Sequence, residues 1–350
     1  MIIEDYINNN YKYVFPFKIS EKNKVREIVT YRNDENGEML RSFHEKFLKK
    51  LNKFPTSDHS YAYKKGLSTK DAIMPHLKSN LFIKLDIKSF FESITKEKFF
   101  SVCDKKIIRK YNAELQTCFY NNHLSLGYVT SPKISDMYLY EFDCCIEKYL
   151  KKNKELRYSR YSDDILISSV GNSFNGLYDF LSFIKKELFK YDLMLNDKKI
   201  REFNISKEII TKNKKLMNYN YYPSVSFLGL NIVRRDKDTV ITISKSFIIN
   251  TLNLIEKMNN VNDKIINIDK KYNELVVLKY KKKINQIFDE TRLNQLIEER
   301  KSLKSLRLRY RDLHSVVHSR VGYIKHNSKV SYQRFLDKYY NKFNKKWRKF

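Results

Sequence analysis

Residues 156–170 read Leu156-Arg-Tyr-Ser-Arg-Tyr-Ser-Asp-Asp-Ile-Leu-Ile-Ser-Ser-Val170. Two stretches rich in β-branched and aromatic residues flank a short polar segment. This pattern predicts two strands that meet near Ser162 and Asp163. A buried carboxylate without a partner is costly, so Asp163 and Asp164 require a cation or a hydrogen-bonding partner. This stretch therefore predicts a sheet edge that carries two acids.

A second apolar run also ends in an acid. Residues 81–87, Leu-Phe-Ile-Lys-Leu-Asp-Ile, read as a strand with Asp86 near its end. If this strand neighbours the 156–170 pair, three carboxylates converge at one sheet end. Such oxygen donors suit Mg²⁺, and two ions roughly 4 Å apart can activate an attacking hydroxyl and stabilise a leaving pyrophosphate. The alternative is a set of salt bridges with the abundant Lys and Arg.

The sequence around these acids resembles the reverse transcriptase family. Five motifs occur in family order: Leu85-Asp-Ile-Lys-Ser-Phe-Phe-Glu-Ser-Ile94, Gly127-Tyr-Val-Thr-Ser-Pro132, Tyr161-Ser-Asp-Asp164, Leu195-Asn-Asp-Lys-Lys199 and Phe227-Leu-Gly-Leu230. Residues 17–31 and 61–73 resemble the fingers motifs more loosely. The chain length and the Thr-Ser-Pro form of the second motif are most similar to bacterial retron and defence-associated, abortive-infection-like enzymes.

The elements read from the sequence fit that resemblance. We predict an α+β fold from a hairpin over 15–31, helices over 38–55, 66–79, 95–122, 132–152 and 174–191, strands over 81–87, 156–170, 224–233 and 239–243, and helix from about 245 onwards. The resemblance implies a right-hand polymerase fold. Fingers would span 1–80 with part of 95–125, a palm with an antiparallel sheet 81–235, and a basic helical thumb 236–350.

Composition narrows the class of partner. The chain has 350 residues, 69 Lys and Arg against 40 Asp and Glu, and a net charge of +29, which favours a polyanionic partner such as nucleic acid. Residues 301–350 alone hold fifteen basic residues and two acids. No apolar run is long enough to span a membrane, and the four Cys form no C-x-x-C pair. We therefore expect a protein of the bacterial cytoplasm without membrane partners.

The resemblance implies a metal-binding role for the acids. Asp86 and Asp163 match the metal ligands of the family, the Ile87 carbonyl matches a backbone ligand, and Asp164 matches a neighbouring, less direct carboxylate. The implied cofactor is a pair of Mg²⁺ ions, with Mn²⁺ as a substitute, and the implied reaction is phosphoryl transfer.

The resemblance also assigns residues to the incoming nucleotide. Arg26 resembles the arginine that holds the triphosphate, with Lys64 or Lys65 as a second basic contact, and Lys199 resembles the lysine near the leaving pyrophosphate. Phe91 matches the aromatic that excludes a ribose 2′-hydroxyl, although either Phe90 or Phe91 must pack in the core. The loop and helix start that support the nucleotide would comprise Gly127, Ser131 as a helix cap and Pro132 in the first turn.

Two positions depart from the family pattern, and two regions would contact the primer. Leu126 stands where most members have Gln, and Asp136 stands where Asn is common. The primer-grip turn would comprise Phe227, Leu228 and Gly229. In the basic tail, Lys345, Lys346, Arg348 and Lys349 would track the duplex backbone.

These features favour an RNA-directed DNA polymerase that copies a dedicated structured non-coding RNA in antiphage defence. The implied partners are that RNA, dNTPs, the DNA product or RNA–DNA hybrid, and an effector protein or a second copy of the chain. Two alternatives stay open. One is template-independent or protein-primed synthesis, suggested by Leu126 and by Tyr11, Tyr13, Tyr339 and Tyr340. The other is a non-catalytic RNA-binding scaffold.

Overall fold

The computed structural model describes residues 2–21, 24–206, 224–235, 238–280, 298 and 303–343. The chain divides into two compact units, Met1–Leu228 with Ile232–Val240 and Gly229–Asn231 with Ile241–Phe350. Helices and a central antiparallel sheet are both prominent, so the predicted α+β class is confirmed. Within the described ranges, no helix combines the length and the apolar character that a membrane span requires.

The helices in chain order are α1 (Ile2–Asn8), α2 (Glu35–Leu51), α3 (Thr69–Ile73), α4 (Phe90–Ser93), α5 (Lys96–Val102), α6 (Lys105–Gln116), α7 (Ser131–Tyr138), α8 (Tyr140–Lys152), α9 (Asn175–Phe189), α10 (Lys245–Tyr280), α11 (Leu303–Asn327) and α12 (Lys329–Phe343). The strands are β1 (Val14–Glu21), β2 (Lys24–Tyr31), β3 (Leu81–Asp86), β4 (Phe119–Tyr120), β5 (His123–Leu124), β6 (Leu156–Tyr161), β7 (Asp164–Ser169), β8 (Arg201–Asn204), β9 (Ser224–Phe227), β10 (Leu230–Arg235) and β11 (Asp238–Ile243).

A four-stranded antiparallel sheet of order β6-β7-β3-β8 forms the centre of the first unit. Strand β3 is buried along its length except at Lys84, which explains why its sequence is almost continuously apolar. Phe142 and Ile146 of α8, together with Phe180 of α9, share one hydrophobic core with the sheet. Strands β3 and β7 are neighbours, as the sequence analysis required for the acids to meet.

The predicted N-terminal hairpin is present as β1 and β2, paired from Val14↔Tyr31 outwards. The hairpin is tied to the loop before α7, because the Val29 amide donates to the Leu126 carbonyl at 2.9 Å. The following residue, Gly127, has φ +115°, and a Cβ there would lie 2.4 Å from the Val29 carbonyl oxygen. Only glycine allows this close approach.

Two predicted helices are shorter than expected. The helix over 66–79 contains only Thr69–Ile73, followed by a 3-10 turn over Met74–His76, because Pro75 cannot continue an α-helix. The helical stretch over 95–122 ends at Gln116 and gives way to the hairpin β4–β5. Asn121 and Asn122 both adopt positive φ there, and this is the two-residue turn that Asn favours.

The second unit is largely helical. Helices α10 and α11 pack through Val261, Ile265 and Leu303. The start of α10 is fixed by Phe247, whose ring receives the Arg320 guanidinium at 4.1 Å. Strands β9, β10 and β11 form a three-stranded sheet with β10 in the middle, and most of its residues belong to the first unit.

Candidate active site

The turn between β6 and β7 carries the acids of the Tyr161-Ser-Asp-Asp164 motif. Tyr161 pairs with Asp164, so Ser162 and Asp163 form a two-residue hairpin turn, with φ +59° at Ser162. Asp86 at the end of β3 pairs with Asp164, and the Ile87 amide donates to the Asp163 carbonyl at 2.9 Å. The strand register thus brings all three predicted acids to one sheet end.

These acids line an open cavity of about 920 Å³. Its described walls are contributed by the sheet end, the hairpin β1–β2, the start of α4 and the segment around Lys199. The candidate residues from the sequence that line it are Arg26, Asp86, Ile87, Phe90, Phe91, Leu126, Asp163, Asp164 and Lys199. Val25, Tyr63, Lys84 and Arg201 line it as well.

Two lysines contact the acids. Lys199 Nζ forms an ion pair with Asp86 Oδ1, and the Lys199 side chain remains 43% exposed. Lys84 Nζ lies 3.8 Å from Asp164 Oδ1 and 5.7 Å from the centre of the Phe227 ring. Lys84 and Asp164 are each 30% exposed, whereas Asp86 is only 10% exposed beside Lys199.

The electrostatics of the turn favour a bound cation. Burial raises the pKa of Asp163, the neighbouring Asp86 raises it further, and Lys199 and Arg26 only partly offset this. Burial likewise raises the pKa of Asp164, with Lys84 acting in the opposite direction. Burial lowers the Lys199 pKa, but the hydrogen bond from Lys199 to Asp86 and the surrounding carboxylates outweigh it and leave the pKa raised. The acids therefore gain from any further positive charge.

A different pair of acids lies in the core next to this turn. Arg160 of β6 is fully buried and binds Asp143 through Nε and Nη2, the latter at 2.5 Å, and Asp136 through Nη2 at 3.0 Å. The Tyr158 hydroxyl also donates to Asp143 at 3.0 Å. Asp136, noted above as a departure from the family pattern, thus has an arginine partner in the core.

The two candidate sugar-contacting rings differ in burial. Phe90 is 3% exposed and belongs to the core, whereas Phe91 is half-buried at its edge. The two ring centroids are 5.4 Å apart in an edge-to-face arrangement. One phenylalanine therefore packs in the core, as expected, and Phe91 is the one that remains more accessible from the cavity.

The basic residues assigned to the nucleotide are divided between two cavities. Arg26 lines the aspartate cavity. Lys64 and Lys65 line a second cavity of about 330 Å³, in which Lys64 Nζ donates to the Ser57 carbonyl at 2.5 Å. Tyr63 lines both cavities, and Pro132 lines the second. The structure thus does not place Lys64 beside Arg26 and Lys199.

The predicted helix cap at Ser131 is wrong. Helix α7 already begins at Ser131, its N-cap residue is Thr130, and Ser131 Oγ donates to the Ser125 carbonyl at 2.5 Å. A capping oxygen must accept from backbone N–H groups, and this hydroxyl is used as a donor. Pro132 does lie in the first turn, as predicted.

The primer-grip residues lie where β9 ends. Phe227 is fully buried, and Leu228 and Gly229 both adopt positive φ, at +52° and +77°. Lys345, Lys346, Arg348 and Lys349 lie outside the described residues.

Sequence reasoning missed polar residues of the cavity wall, among them Lys84, Arg201 and Tyr63. Lys84 had a signal, because a lysine in an apolar strand two positions before Asp86 must face the same side as Asp86. Tyr63 had none that we recognise. Its contribution depends on the packing of a loop against the turn 99 positions later, where its hydroxyl donates to Ser162 Oγ at 3.1 Å.

The donor set suits a hard divalent cation held in an open site. Among the described residues, no three His, Cys, Asp or Glu side chains are grouped closely enough to form a metal cage. Asp86, Asp163 and Asp164 nevertheless offer only oxygen atoms at the cavity wall. Mg²⁺ binds through one or two carboxylates, waters and substrate phosphates, so these residues fit Mg²⁺ without a closed cage.

The sheet-end acids and the motifs around them meet at one cavity, and the comparison with protein families shows to which family a chain with these motifs belongs. The family described as reverse transcriptase (RNA-dependent DNA polymerase) matches residues 35–232, more than half of the chain. The chain therefore belongs to the reverse transcriptase family. The resemblance drawn from the five motifs is confirmed.

Individual relatives come from Escherichia coli retrons. The chain is 30% identical to the retron Ec86 reverse transcriptase over 121 residues, 34% of this chain and 38% of that protein. It is 36% identical to the retron Ec83 reverse transcriptase over 124 residues, 32% of this chain and 39% of that protein. The chain thus spans about two-fifths of the length of the curated relatives that it matches.

Solved structures similar to this chain include telomerases. A truncated apo telomerase from Candida tropicalis has a TM-score of 0.45 and 14% identity, covering 65% of this chain and 55% of the telomerase. Telomerase from Candida albicans with a TWJ fragment of telomeric RNA has a TM-score of 0.43 and 10% identity, covering 96% and 66% of the two chains.

Proposed function

We propose that this protein is an RNA-directed DNA polymerase that copies a dedicated structured RNA into DNA. The observation that carries the proposal is the convergence of Asp86, Asp163 and Asp164 on one 920 Å³ cavity in a chain of the reverse transcriptase family. Catalysis in this class consists mostly of positioning and charge neutralisation, and both depend on these acids and on the cations around them.

Asp86 and Asp163, with the Ile87 carbonyl, would hold two Mg²⁺ ions or Mn²⁺ in their place, and Asp164 would add negative charge beside them. When bound, such ions activate the primer hydroxyl and stabilise the leaving pyrophosphate. Burial raises the pKa values of Asp163 and Asp164, and this disfavours their ionised forms. A bound cation would offset that cost by stabilising both carboxylates, and this supports the assignment.

Arg26 and Lys199 would bind the triphosphate. Arg26 lies on the hairpin β1–β2 and Lys199 beside Asp86, and both line the cavity that holds the acids. Arg26 offers paired donors to phosphate oxygens, and Lys199 is placed to give a proton to the pyrophosphate. Lys64 would serve this site only indirectly, from the neighbouring cavity.

Phe91 would select deoxyribose. Its half-buried ring is held against Phe90 at the start of α4, so it offers a fixed flat surface to the sugar. A ribose 2′-hydroxyl would collide with that surface. Gly127 would support the nucleotide through the close backbone approach that only glycine permits.

The second unit would bind the primer–template duplex. Exposed basic residues recur along its helices α11 and α12, among them Arg309, Arg311, Lys325 and Arg334. These residues and the tail residues Lys345, Lys346 and Arg348 would neutralise backbone phosphates, and this makes binding salt-dependent. The primer-grip residues Phe227, Leu228 and Gly229 carry no charge and would contact the primer end.

The retron relatives support the substrate class and the setting. Their names, retron reverse transcriptases, support RNA as the template. We propose the structured non-coding RNA, the dNTPs and the RNA–DNA product from the motif resemblance. We further propose, from the same resemblance, a role in antiphage defence in the bacterial cytoplasm, with an effector protein or a second copy of the chain as partner.

A primer-extension assay tests the activity. The wild type should extend a primer on an RNA template with Mg²⁺ and dNTPs, and Asp163→Asn should reduce the rate by about 10³-fold or more. Asp197→Asn is the matched control, since Asp197 is an exposed acid paired with Lys185. Equal rates for wild type and Asp163→Asn would leave the scaffold function as the explanation.

Sequencing of copurifying nucleic acid separates templated from untemplated synthesis. DNA complementary to a copurifying RNA, released by denaturant alone, supports the proposed function. DNA that stays attached to the protein after denaturation would point instead to protein priming. Tyr11 and Tyr340 are the exposed candidates for such attachment, whereas Tyr13 and Tyr339 are buried.

A further inference from the structure

Tyr63 and Ser162 are two residues under the same unusual backbone restraint, and their side chains are hydrogen-bonded to each other. Tyr63 has φ +60° and Ser162 has φ +59°, values that non-glycine residues rarely adopt. The Tyr63 hydroxyl donates to Ser162 Oγ at 3.1 Å. Such conformations persist only where surrounding contacts hold them, and they cluster at functional sites.

The loop that carries Tyr63 is anchored to the same strand that carries Ser162. The Arg160 amide donates to the His59 carbonyl at 2.8 Å, and the Tyr61 amide donates to the Arg160 carbonyl at 2.9 Å. Ser60 Oγ also donates to Asp136 Oδ1 at 2.5 Å, and Asp136 is itself bound by Arg160. The loop therefore has a rigid base two residues before Tyr63.

These contacts close a ring around the catalytic turn. Arg160 is connected to Ser162 in two ways. One connection is the backbone from Arg160 to Ser162, and the other runs through the hydrogen bonds of the loop and of the Tyr63 hydroxyl. On the other side, the Ile87 amide donates to the carbonyl of Asp163. The Ser162–Asp163 turn is thus held from both sides, by Tyr63 and by Ile87.

We propose that Tyr63 is a positioning residue for Asp163, acting through its hydrogen bond to Ser162. The inference rests on the proposed function, because its effect is on the polymerisation step. Tyr63 itself lines the cavity with a ring that is more than half exposed, and the hydroxyl contacts the turn and not the carboxylate. Without the bond, the turn has fewer restraints, and Asp163 spends less time in the reactive geometry.

A double-mutant cycle tests the bond. The variants are Tyr63→Phe, which keeps the ring and removes the hydroxyl, Ser162→Ala, and the two combined. We expect each single variant to slow single-turnover incorporation at saturating dNTP by about three- to ten-fold, and the double variant to be no slower than the worse single one. The dNTP concentration for half-maximal rate and the affinity for duplex should stay at wild-type values.

Tyr61→Phe is the matched control, because it makes the same substitution two positions earlier in the same loop. It should retain the wild-type rate, and all variants should retain the wild-type melting temperature within about a degree. If Tyr63→Phe fails to fold, Ser162→Ala tests the same bond from the other side. A fall in rate at unchanged half-saturation is the signature of positioning, since a general loss of structure would weaken binding too.

The outcomes are distinct. Multiplicative losses in the double variant, or a wild-type rate for Tyr63→Phe, overturn the inference while leaving the proposed function intact. A wild type that extends no better than Asp163→Asn overturns the proposed function and this inference with it. A shared loss in the two single variants that does not grow in the double variant supports it.

Discussion

Two groups of aspartates are linked by strand β6, which carries Arg160 and leads into the Ser162–Asp163 turn. The surroundings of the two groups differ in kind. Asp136 and Asp143 are buried and bind the fully buried Arg160. Asp86, Asp163 and Asp164 line an open cavity, and their lysine partners Lys199 and Lys84 are 43% and 30% exposed.

The difference separates acids that hold the fold from acids that are available for chemistry. Arg160 and Tyr158 engage both oxygens of Asp143, and Arg160 and Ser60 engage Asp136 Oδ1, whereas Asp136 Oδ2 is buried without a hydrogen-bond partner among the described residues. Burial raises the pKa values of the cavity acids Asp163 and Asp164, and the neighbouring cations Lys199, Arg26 and Lys84 only partly offset this. Arg160 of β6 thus secures the strand that leads into a turn whose own charges are left unbalanced.

The largest effect on this comparison should come from removing the buried arginine. Arg160→Met leaves Asp136 and Asp143 buried without their cation and should destabilise the fold by about 3–5 kcal/mol in urea unfolding. Arg41→Met is the control, since Arg41 pairs with Glu45 on the exposed face of α2 and should cost at most about 0.5 kcal/mol. Similar losses in the two variants would mean that the core acids do not depend on Arg160.

Replacing Lys199, the partner of Asp86 in the cavity, should have the opposite effect: activity is lost and stability is kept. Under the proposed function, in which Lys199 gives a proton to the leaving pyrophosphate, Lys199→Gln should reduce single-turnover incorporation by roughly 10–100-fold. Its unfolding free energy should change by less than about 1 kcal/mol, since the side chain is half-exposed. Lys198→Gln is the neighbouring control. A Lys199→Gln variant that is as fast as wild type but unstable would reverse the distinction.

Two buried histidines extend the comparison between core charges and cavity charges. A protonated histidine in the core would be a buried cation without a carboxylate partner, unlike Arg160. Burial lowers the pKa of His44 to about 4 and that of His76 to about 3. Both values lie below the unfolded value of 6.5, so the unfolded chain binds more protons and stability is lost as pH falls below about 6.5. The slope can reach about 1.4 kcal/mol per pH unit for each histidine.

Urea unfolding between pH 7.5 and pH 5 measures this slope. His44→Gln should be less stable than wild type at pH 7.5, because the contacts to Tyr31 and Thr117 are altered, yet its stability should fall less steeply towards pH 5. His123→Gln, at an exposed position, should keep the wild-type slope. Parallel curves for wild type and His44→Gln would show that His44 is not held neutral.

The smallest effect should come from Lys84. Its distance of 3.8 Å to Asp164 and its exposure predict that Lys84→Gln costs less than about 1 kcal/mol at low salt. The cost should disappear near 0.5 M salt, because exposed charges are screened. The cost of Arg160→Met should be unaffected by salt. Equal salt sensitivity of the two variants would remove the contrast between the core acids and the cavity acids.

The sheet was predictable in part because its strands carry strong periodic signals. Strand β3 is largely apolar and ends at Asp86, β7 begins at Asp164 and continues with apolar residues, and β6 carries aromatic residues up to the turn. The pairing of β6 with β7 follows from that pattern, whereas the pairing of β3 with β7 was only a condition. Strand β8, Arg201-Glu-Phe-Asn204, was missed because it is polar and pairs with only one neighbour, at the edge of the sheet. The hairpin β4–β5 was missed because its two strands have two residues each.

Within the candidate site, the sequence indicated the acids but not how each group is neutralised. Asp86 and Asp163 stand out because they interrupt apolar strands. Asp143 and Arg160 look like ordinary charges until helix α8 and strand β6 are packed together. Likewise, the bond from Tyr63 to Ser162 depends on a loop conformation with positive φ that no local pattern announces.

The contact between Val29 and Leu126 has a consequence for how this enzyme family can vary. The hairpin is fastened to position 126 by a backbone carbonyl, while the residue at the same position lines the cavity that holds the acids. The accepting carbonyl does not depend on the side chain, so substitution at 126 can change the cavity wall without removing this hydrogen bond. Under the proposed function, Leu126 is therefore a position at which substrate preference can evolve, or be engineered, independently of the framework.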